Sequence, residues 1–270
     1  MEQNNRHLIF TFSTALLFFF GLGAYATKLL YPYTPAYLTA NIPFFALGLG
    51  LFFSHTLILK NPLSSLVTET THWSWKRALL IGISYTLILT LFTLISALVH
   101  RSDYHFISVP FSKRLGFILM ALIVTPLQTS GEEILFRIIP LKLTKRIRST
   151  ILRALIPTTI FTVLHFANRE VAQSQNQSAV FLYYAFFGFL PSYIALKTQR
   201  YEFPLAVHAA NNLFIAIICN YEYSSLPPIP LFFSTRPIGT WLDLLQLAVA
   251  LGVGYLIVTV TEKADPEESA

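Results

Sequence analysis

Charged side chains are scarce in this chain. Only 12% of its 270 residues are Asp, Glu, Lys or Arg, and 54% are apolar; soluble domains are usually about 25% charged. This composition excludes an ordinary soluble globule. It predicts an all-α, polytopic membrane protein that forms a single integral membrane domain over residues 1–270.

Cysteine is nearly absent, since Cys219 is the only one. A single cysteine excludes an intrachain disulfide and a cysteine-based zinc site. The His-Glu-x-x-His pattern of zinc proteases is also missing. The net charge of +6 falls mostly in predicted loops, which favours contact with the lipid bilayer over nucleic acid as a partner.

Long apolar runs dominate what remains. At about 20 residues per membrane crossing, they predict a helical bundle of about eight transmembrane helices at 7–27, 42–59, 78–99, 115–143, 151–166, 179–196, 204–220 and 241–260. Twelve of the loop Lys and Arg residues lie on one side of these spans and six on the other. The positive-inside rule therefore predicts that both termini are cytoplasmic.

The fourth run contains Glu132, Glu133 and Arg137 in apolar surroundings. Ionised groups cost about 2.5–3.5 kcal/mol or more inside a bilayer, so they usually face a protein interior or a wet cavity. Glu133 and Arg137 are four residues apart on one helix face and can pair. Glu132 is rotated by about 100° from Glu133, which predicts that it points elsewhere, into a cavity. The alternative is an ion network that only fixes helix packing.

Two later runs carry further polar side chains, His165 in one and His208 with Asn212 in the other. His208 and Asn212 share a helix face, which predicts that both line one cavity while Asn211 points elsewhere. If the fourth and fifth helices turn near Arg148, Glu132 and His165 lie at nearly the same depth. His208 comes only a few residues into its helix and so looks shallower. The alternatives are a re-entrant or tilted helix, or helix ends that differ from those predicted.

A carboxylate, two imidazoles and an amide suit hydrolysis. The carboxylate can take a proton from water, an imidazole can assist, and imidazole and amide N–H groups can stabilise an oxyanion. Glu132, His165 and His208 could instead bind a divalent metal. Because Asn212 shares a face with His208, we favour oxyanion binding and predict neither a metal nor another cofactor. A packed or pore-lining histidine is the simpler alternative for each imidazole.

Together these three segments resemble the motifs of the CPBP family, which comprises the type II CAAX prenyl endopeptidases and the Abi, or bacteriocin-processing, relatives. The likeness covers residues 115–220, here called the catalytic core. The motif residues are Glu132, Glu133, Arg137, Phe161, His165, His208 and Asn212.

The resemblance implies an eight-helix intramembrane bundle that hydrolyses peptide bonds. It implies that Glu132 activates water, that His165 assists, and that His208 and Asn212 form the oxyanion hole. Glu133 and Arg137 would shape the site, with Phe161 packed behind it. Ile138 stands where many members have glycine, which puts close helix packing there in question.

We therefore expect an intramembrane glutamic-type endopeptidase of the bacterial cytoplasmic membrane, acting on a membrane-anchored protein or peptide. One rival is a non-catalytic scaffold that binds a partner protein, although it would not need the complete polar set. Another is an ion- or proton-coupled transporter, although the sequence shows no inverted repeats.

Overall fold

The structure is a computed structural model that describes residues 2–68, 73–174, 176–236 and 239–264. Helices form most of this part of the chain, which confirms the predicted helical bundle. The α-helices are α1 (Glu2–Leu17), α2 (Ala24–Leu30), α3 (Ala36–Leu51), α4 (Ser64–Val67), α5 (Trp75–Val99), α6 (Phe111–Glu133), α7 (Ile139–Leu143), α8 (Thr150–His165), α9 (Arg169–Ala172), α10 (Gln177–Thr198), α11 (Glu202–Leu213) and α12 (Trp241–Ala264). π-Helical turns extend the helices at Phe18–Gly23, Phe52–Ile58, Ile134–Ile138 and Phe214–Ile218, and 3₁₀ turns lie at Tyr31–Tyr33 and Arg101–Asp103.

Within the described residues, six helical stretches are long and apolar enough to cross a membrane. They are Gln3–Tyr33, Ala36–Ile58, Trp75–Val99, Phe111–Leu143, Gln177–Thr198 and Trp241–Thr261. Two further apolar helices, Thr150–His165 and Glu202–Ile218, are shorter. Both carry predicted site residues, so the count of about eight spans stays a prediction while the membrane bundle itself is confirmed.

The outer surfaces of the long helices are apolar and exposed. On α5, for example, Leu79, Leu87 and Leu98 are all more than half exposed. A helix that is apolar on its outward face as well as its inward face suits lipid rather than water. These surfaces therefore form the side of the bundle that meets the bilayer.

Small residues allow the helices around the site to approach closely. A Cβ added to Gly188 of α10 would lie 3.0 Å from Thr158 Cα of α8. A Cβ added to Gly50 of α3 would lie 2.9 Å from Ala15 Cα of α1. Close backbone approach at small residues is the usual packing mode of membrane helices, and it fixes α8 and α10 side by side.

Ile138 does not prevent close packing, despite replacing the glycine expected from the family likeness. Its side chain is fully buried in a cluster that also contains Ala154 of α8 and Ala195 of α10. These alanines leave room for the isoleucine, so the missing glycine is compensated by small residues on the neighbouring helices.

A small three-stranded sheet covers one end of the bundle. Its strands are β1 (Tyr104–Phe106), β2 (Cys219–Tyr221) and β3 (Phe232–Ser234), in the order β1-β3-β2, with β1 antiparallel and β2 parallel to β3. The strands were not predicted: β1 and β3 fall between predicted helices, and β2 overlaps the end of the helix predicted at 204–220. Three residues are too few for a readable alternation of polar and apolar side chains. The sheet joins the connection after α5 to the one after α11.

Candidate functional site

The site is built around the buried ion pair between Glu133 and Arg137. Arg137 Nε lies 3.0 Å from Glu133 Oε2, and both side chains are at most 3% exposed. The arginine also donates a hydrogen bond from Nη2 to the carbonyl of Phe187 at 3.3 Å. Arg137 sits on the π-helical turn that directly follows Glu133, and such turns are frequent at functional sites. The predicted pairing is therefore present.

His208 binds the other oxygen of the same carboxylate. Its Nδ1 lies 2.7 Å from Glu133 Oε1. Because a carboxylate paired with arginine only accepts hydrogen bonds, Nδ1 carries a proton and donates it. The contact fixes the tautomer of His208, so that its second nitrogen, Nε2, faces away from Glu133.

Glu132 occupies that second side of the imidazole. Its Oε2 lies 3.4 Å from His208 Nε2, and its side chain is 16% exposed, against 1% for Glu133. The two carboxylates therefore lie on opposite sides of one imidazole, and Glu132 lines the cavity while Glu133 faces Arg137, as the helical spacing predicts. A glutamate side chain has three rotatable bonds, so two that start about 100° apart on a helix can still converge.

His208 does not lie at a shallower level than Glu132, since it contacts both glutamates. The reason lies at the start of α11, where Tyr201, Glu202 and Phe203 are buried. Glu202 Oε1 is 3.6 Å from Arg200 Nη1 and 3.9 Å from Arg77 Nη1. This ion network holds the first turn of α11 inside the protein, so the helix carries its histidine to the level of Glu132 although it lies only a few residues from the helix start.

His165, the last residue of α8, is held in place by Phe161, one helical turn earlier. Its Nδ1 lies 2.8 Å from the carbonyl oxygen of Phe161, which can only accept, so Nδ1 carries the proton. Its ring stacks on Phe161 at 4.0 Å and lies 4.8 Å from the ring of Tyr184. Phe161 also meets His208 edge-on at 5.8 Å. The second nitrogen of His165 is thereby left as a hydrogen-bond acceptor for a molecule in the cavity.

Asn211 and Asn212 are joined by a hydrogen bond that was not predicted from the sequence. Asn211 Nδ2 donates to Asn212 Oδ1 at 3.3 Å, and Asn211 Oδ1 accepts from Tyr85 at 3.2 Å and from Tyr183 at 3.4 Å. Both asparagines line the cavity, so the expectation that Asn211 points elsewhere is wrong. The chain of hydrogen bonds engages the oxygen of Asn212 and leaves its NH₂ group to donate.

Gln128 and Glu170 are polar residues of the site that sequence reasoning missed. Gln128 Nε2 donates to Glu132 Oε1 at 3.3 Å. It lies one helical turn before Glu132 on α6, so the four-residue spacing could have revealed it. Glu170 belongs to the short helix after His165, where no periodic pattern marks it.

Most of these groups, but not Glu133 and Arg137, line a cavity of about 380 Å³. Its lining includes Glu132, His165, His208 and Asn212, while residues of the sheet, such as Tyr104 and Tyr221, form the opposite end. The four predicted catalytic side chains are therefore brought to one space. In the part of the chain that the structure describes, no group of three or more His, Cys, Asp and Glu side chains could hold a metal ion.

Comparison with known proteins identifies the family to which the chain belongs. The family described as type II CAAX prenyl endopeptidase Rce1-like matches residues 112–214, a segment that includes every motif residue from Glu132 to Asn212. The chain is also 33% identical over 224 residues to the uncharacterized protein YyaK of Bacillus subtilis, which covers 82% of this chain and 73% of that protein. No solved structure matches. The chain therefore belongs to the Rce1-like family of type II CAAX prenyl endopeptidases.

Proposed function

We propose that this protein is an intramembrane glutamic-type endopeptidase that cleaves a membrane-anchored protein or peptide. The observation that carries the proposal is the difference between the two adjacent glutamates. Glu133 is bound on both oxygens by Arg137 and His208, whereas Glu132 opens into the cavity that His165 and Asn212 also line. Glu132 is thus the carboxylate that water and a peptide can reach.

Glu132 serves as the general base in this mechanism. It accepts a proton from a water molecule while the water oxygen forms a bond to the carbonyl carbon of the scissile peptide. The carbonyl becomes a tetrahedral oxyanion. When this intermediate collapses, the C–N bond breaks and the proton held by Glu132 passes to the leaving amine. Gln128 and His208, at 3.3 and 3.4 Å from its two oxygens, hold the carboxylate in position.

The NH₂ group of Asn212 stabilises the oxyanion, because Asn211 already engages the amide oxygen. A donor fixed in advance costs no reorganisation during the reaction. His208 contributes from the neighbouring turn of α11: when protonated, its Nε2 can donate either to Glu132 or to the oxyanion. His165 accepts a hydrogen bond from the attacking water through its free nitrogen and so orients it.

Glu133 and Arg137 act behind these groups. Their ion pair fixes the imidazole of His208, and Phe161 packs against both histidines. Glu133 and Arg137 thus position His208 from outside the cavity, whereas Phe161 positions the two histidines and also lines the cavity.

The test uses three strains, which produce the wild-type protein, the Glu132→Gln variant or the Glu222→Gln variant. In each strain, mass spectrometry quantifies the new chain ends that cleavage of membrane proteins and peptides produces. Glu132→Gln keeps the size of the side chain and removes the base. The chain ends that the wild type generates should therefore be at least about 100-fold less abundant in the Glu132→Gln strain. Glu222 is exposed and serves as the matched control, which should retain them. Termini from Glu132→Gln within about tenfold of wild type, at equal protein level, would refute the role of Glu132.

A further inference from the structure

Glu170 lies on the wall of the same cavity but has no task in the mechanism above. It belongs to α9, and its residue is only 4% exposed. The ring of Tyr184 lies 4.8 Å from that of His165, and the hydroxyl of the same tyrosine donates to Glu170 Oε1 at 3.1 Å. A single tyrosine side chain therefore separates Glu170 from the catalytic histidine.

The hydrogen-bond partners of Glu170 are all neutral. Besides Tyr184, Asn168 Nδ2 donates to Oε1 at 3.0 Å and Ser225 Oγ donates to Oε2 at 2.6 Å. Among the described residues no Lys, Arg or His forms an ion pair with this carboxylate, and Arg169 beside it is exposed. Buried charges are usually paired with an opposite charge, so Glu170 departs from the rule that Glu133 follows.

The surroundings of Glu170 favour a cation. Tyr183, Tyr184 and Tyr221 line the cavity, and aromatic faces attract ammonium and guanidinium groups. Burial, aided by the negative charge of Glu170, raises the pKa of Tyr221 well above its usual value, which keeps that ring neutral.

The charged lining of the cavity points the same way. Among the described residues that line it, the carboxylates are Glu132, Glu170 and Asp243, and Arg236 is the one Lys or Arg. That arginine lies 3.9 Å from Asp103 and is 28% exposed, so it does little to offset the buried carboxylates. A positive group that enters the cavity is attracted, and the attraction is stronger there than in water because the surroundings are poorly polarisable.

We propose that Glu170 and the tyrosines around it form a substrate subsite for a lysine or arginine side chain. The proposal rests on the proposed function, because it assigns the cation to the peptide that Glu132 cleaves. An extended peptide advances about 3.3 Å per residue, and one tyrosine separates Glu170 from His165. The basic residue therefore lies within roughly three positions of the scissile bond.

Binding tests the subsite without turnover. Full-length Glu132→Gln protein in nanodiscs is incubated with a library of synthetic hydrophobic peptides, in pairs that differ only by lysine or acetyl-lysine, and the bound peptides are quantified by mass spectrometry. Lysine peptides should be enriched about tenfold over their acetylated partners, and adding Glu170→Gln should reduce this preference to about twofold or less. Equal binding of the pairs, or a preference that Glu170→Gln leaves intact, would overturn the proposal.

Two further variants separate charge from folding. Ser225→Ala removes one hydrogen bond to Glu170 and keeps the charge, so the lysine preference should persist; its loss would show that only the local fold matters. If Glu170→Gln does not fold, Glu170→Asp replaces it as the test variant. Its side chain is one methylene shorter and keeps the charge, so the binding preference should shift from lysine to the longer arginine. No shift would contradict the proposal. Cleavage by the wild type is measured separately, so a failure of the subsite can be told apart from a failure of the proposed function.

Discussion

Arg137→Ala should destabilise the folded protein by about 3–5 kcal/mol, the typical cost of removing one member of a buried ion pair. The substitution removes the contact at 3.0 Å to Glu133 and leaves that carboxylate almost completely buried. It also removes the hydrogen bond to Phe187 and the guanidinium that lies 5.7 Å from the centre of the Phe161 ring. The stranded charge of Glu133 is the largest of these losses, because its only other described partner is His208.

Thermal unfolding of the detergent-purified protein measures the effect. For a chain of this size, 1 kcal/mol corresponds to about 2–4 °C in Tm, so Tm should fall by roughly 6–20 °C. Arg236→Ala is the control, since it breaks a longer, partly exposed arginine–carboxylate contact of 3.9 Å with Asp103 and one hydrogen bond to Ser96. Exposed pairs contribute about 0–1 kcal/mol, so the control should unfold within a few degrees of wild type.

A double variant identifies the cause. Glu133→Gln combined with Arg137→Ala strands no charge, and the amide oxygen can still accept from His208 Nδ1. The double variant should therefore recover part of the lost stability. If Arg137→Ala alone unfolds like wild type, or if the double variant is less stable than Arg137→Ala, then the ion pair does not support the fold as argued.

Three other predictions follow from the site and the topology. Asn211→Leu should lower kcat about tenfold with little change in KM, because Asn212 loses the partner that orients it; a change in KM alone would contradict this role. The purified enzyme should contain no stoichiometric transition metal and should keep its activity after exhaustive chelation. Elemental analysis that finds about one zinc per chain, with activity lost on removal and restored by zinc, would refute that. Finally, in a Cys219→Ser background a membrane-impermeant maleimide should label Ser108→Cys on intact cells and Arg146→Cys only after permeabilisation; the reverse pattern would invert the predicted orientation.

The sequence was sufficient for the helical bundle and for the four predicted catalytic side chains, although not for Gln128, Asn211 and Glu170. Long apolar runs locate helices because lipid offers the backbone no hydrogen bonds, and polar groups inside such runs stand out because they are costly there. For this reason Glu132, His165 and His208 could be named as one site without coordinates. The Glu133–Arg137 pair was equally predictable, since its spacing on one helix brings the side chains together.

The details that failed depend on contacts between helices. The depth of His208 is set by the ion network that buries Glu202. Of the two arginines that pair with Glu202, Arg77 is distant in the sequence, and no pattern marks Arg200 as a partner. The role of Asn211 depends on Tyr85 and Tyr183, which belong to two other helices. Helical spacing predicts which residues share a face of one helix. It does not predict at what level in the bundle a neighbouring helix starts.

The convergence of Glu132 and Glu133 on His208 gives two identical side chains different tasks. The pair of Glu133 with Arg137 is neutral overall and fixes Nδ1 of the imidazole as a donor. A proton can then be exchanged only on the other side, between Nε2 and Glu132, which is also the side open to the cavity. In the proposed mechanism the fixed ion pair thus directs proton movement toward the substrate. This arrangement requires adjacent glutamates on one helix and a histidine carried to their level by another, so the buried start of α11 is as important to the proposed chemistry as the glutamates themselves.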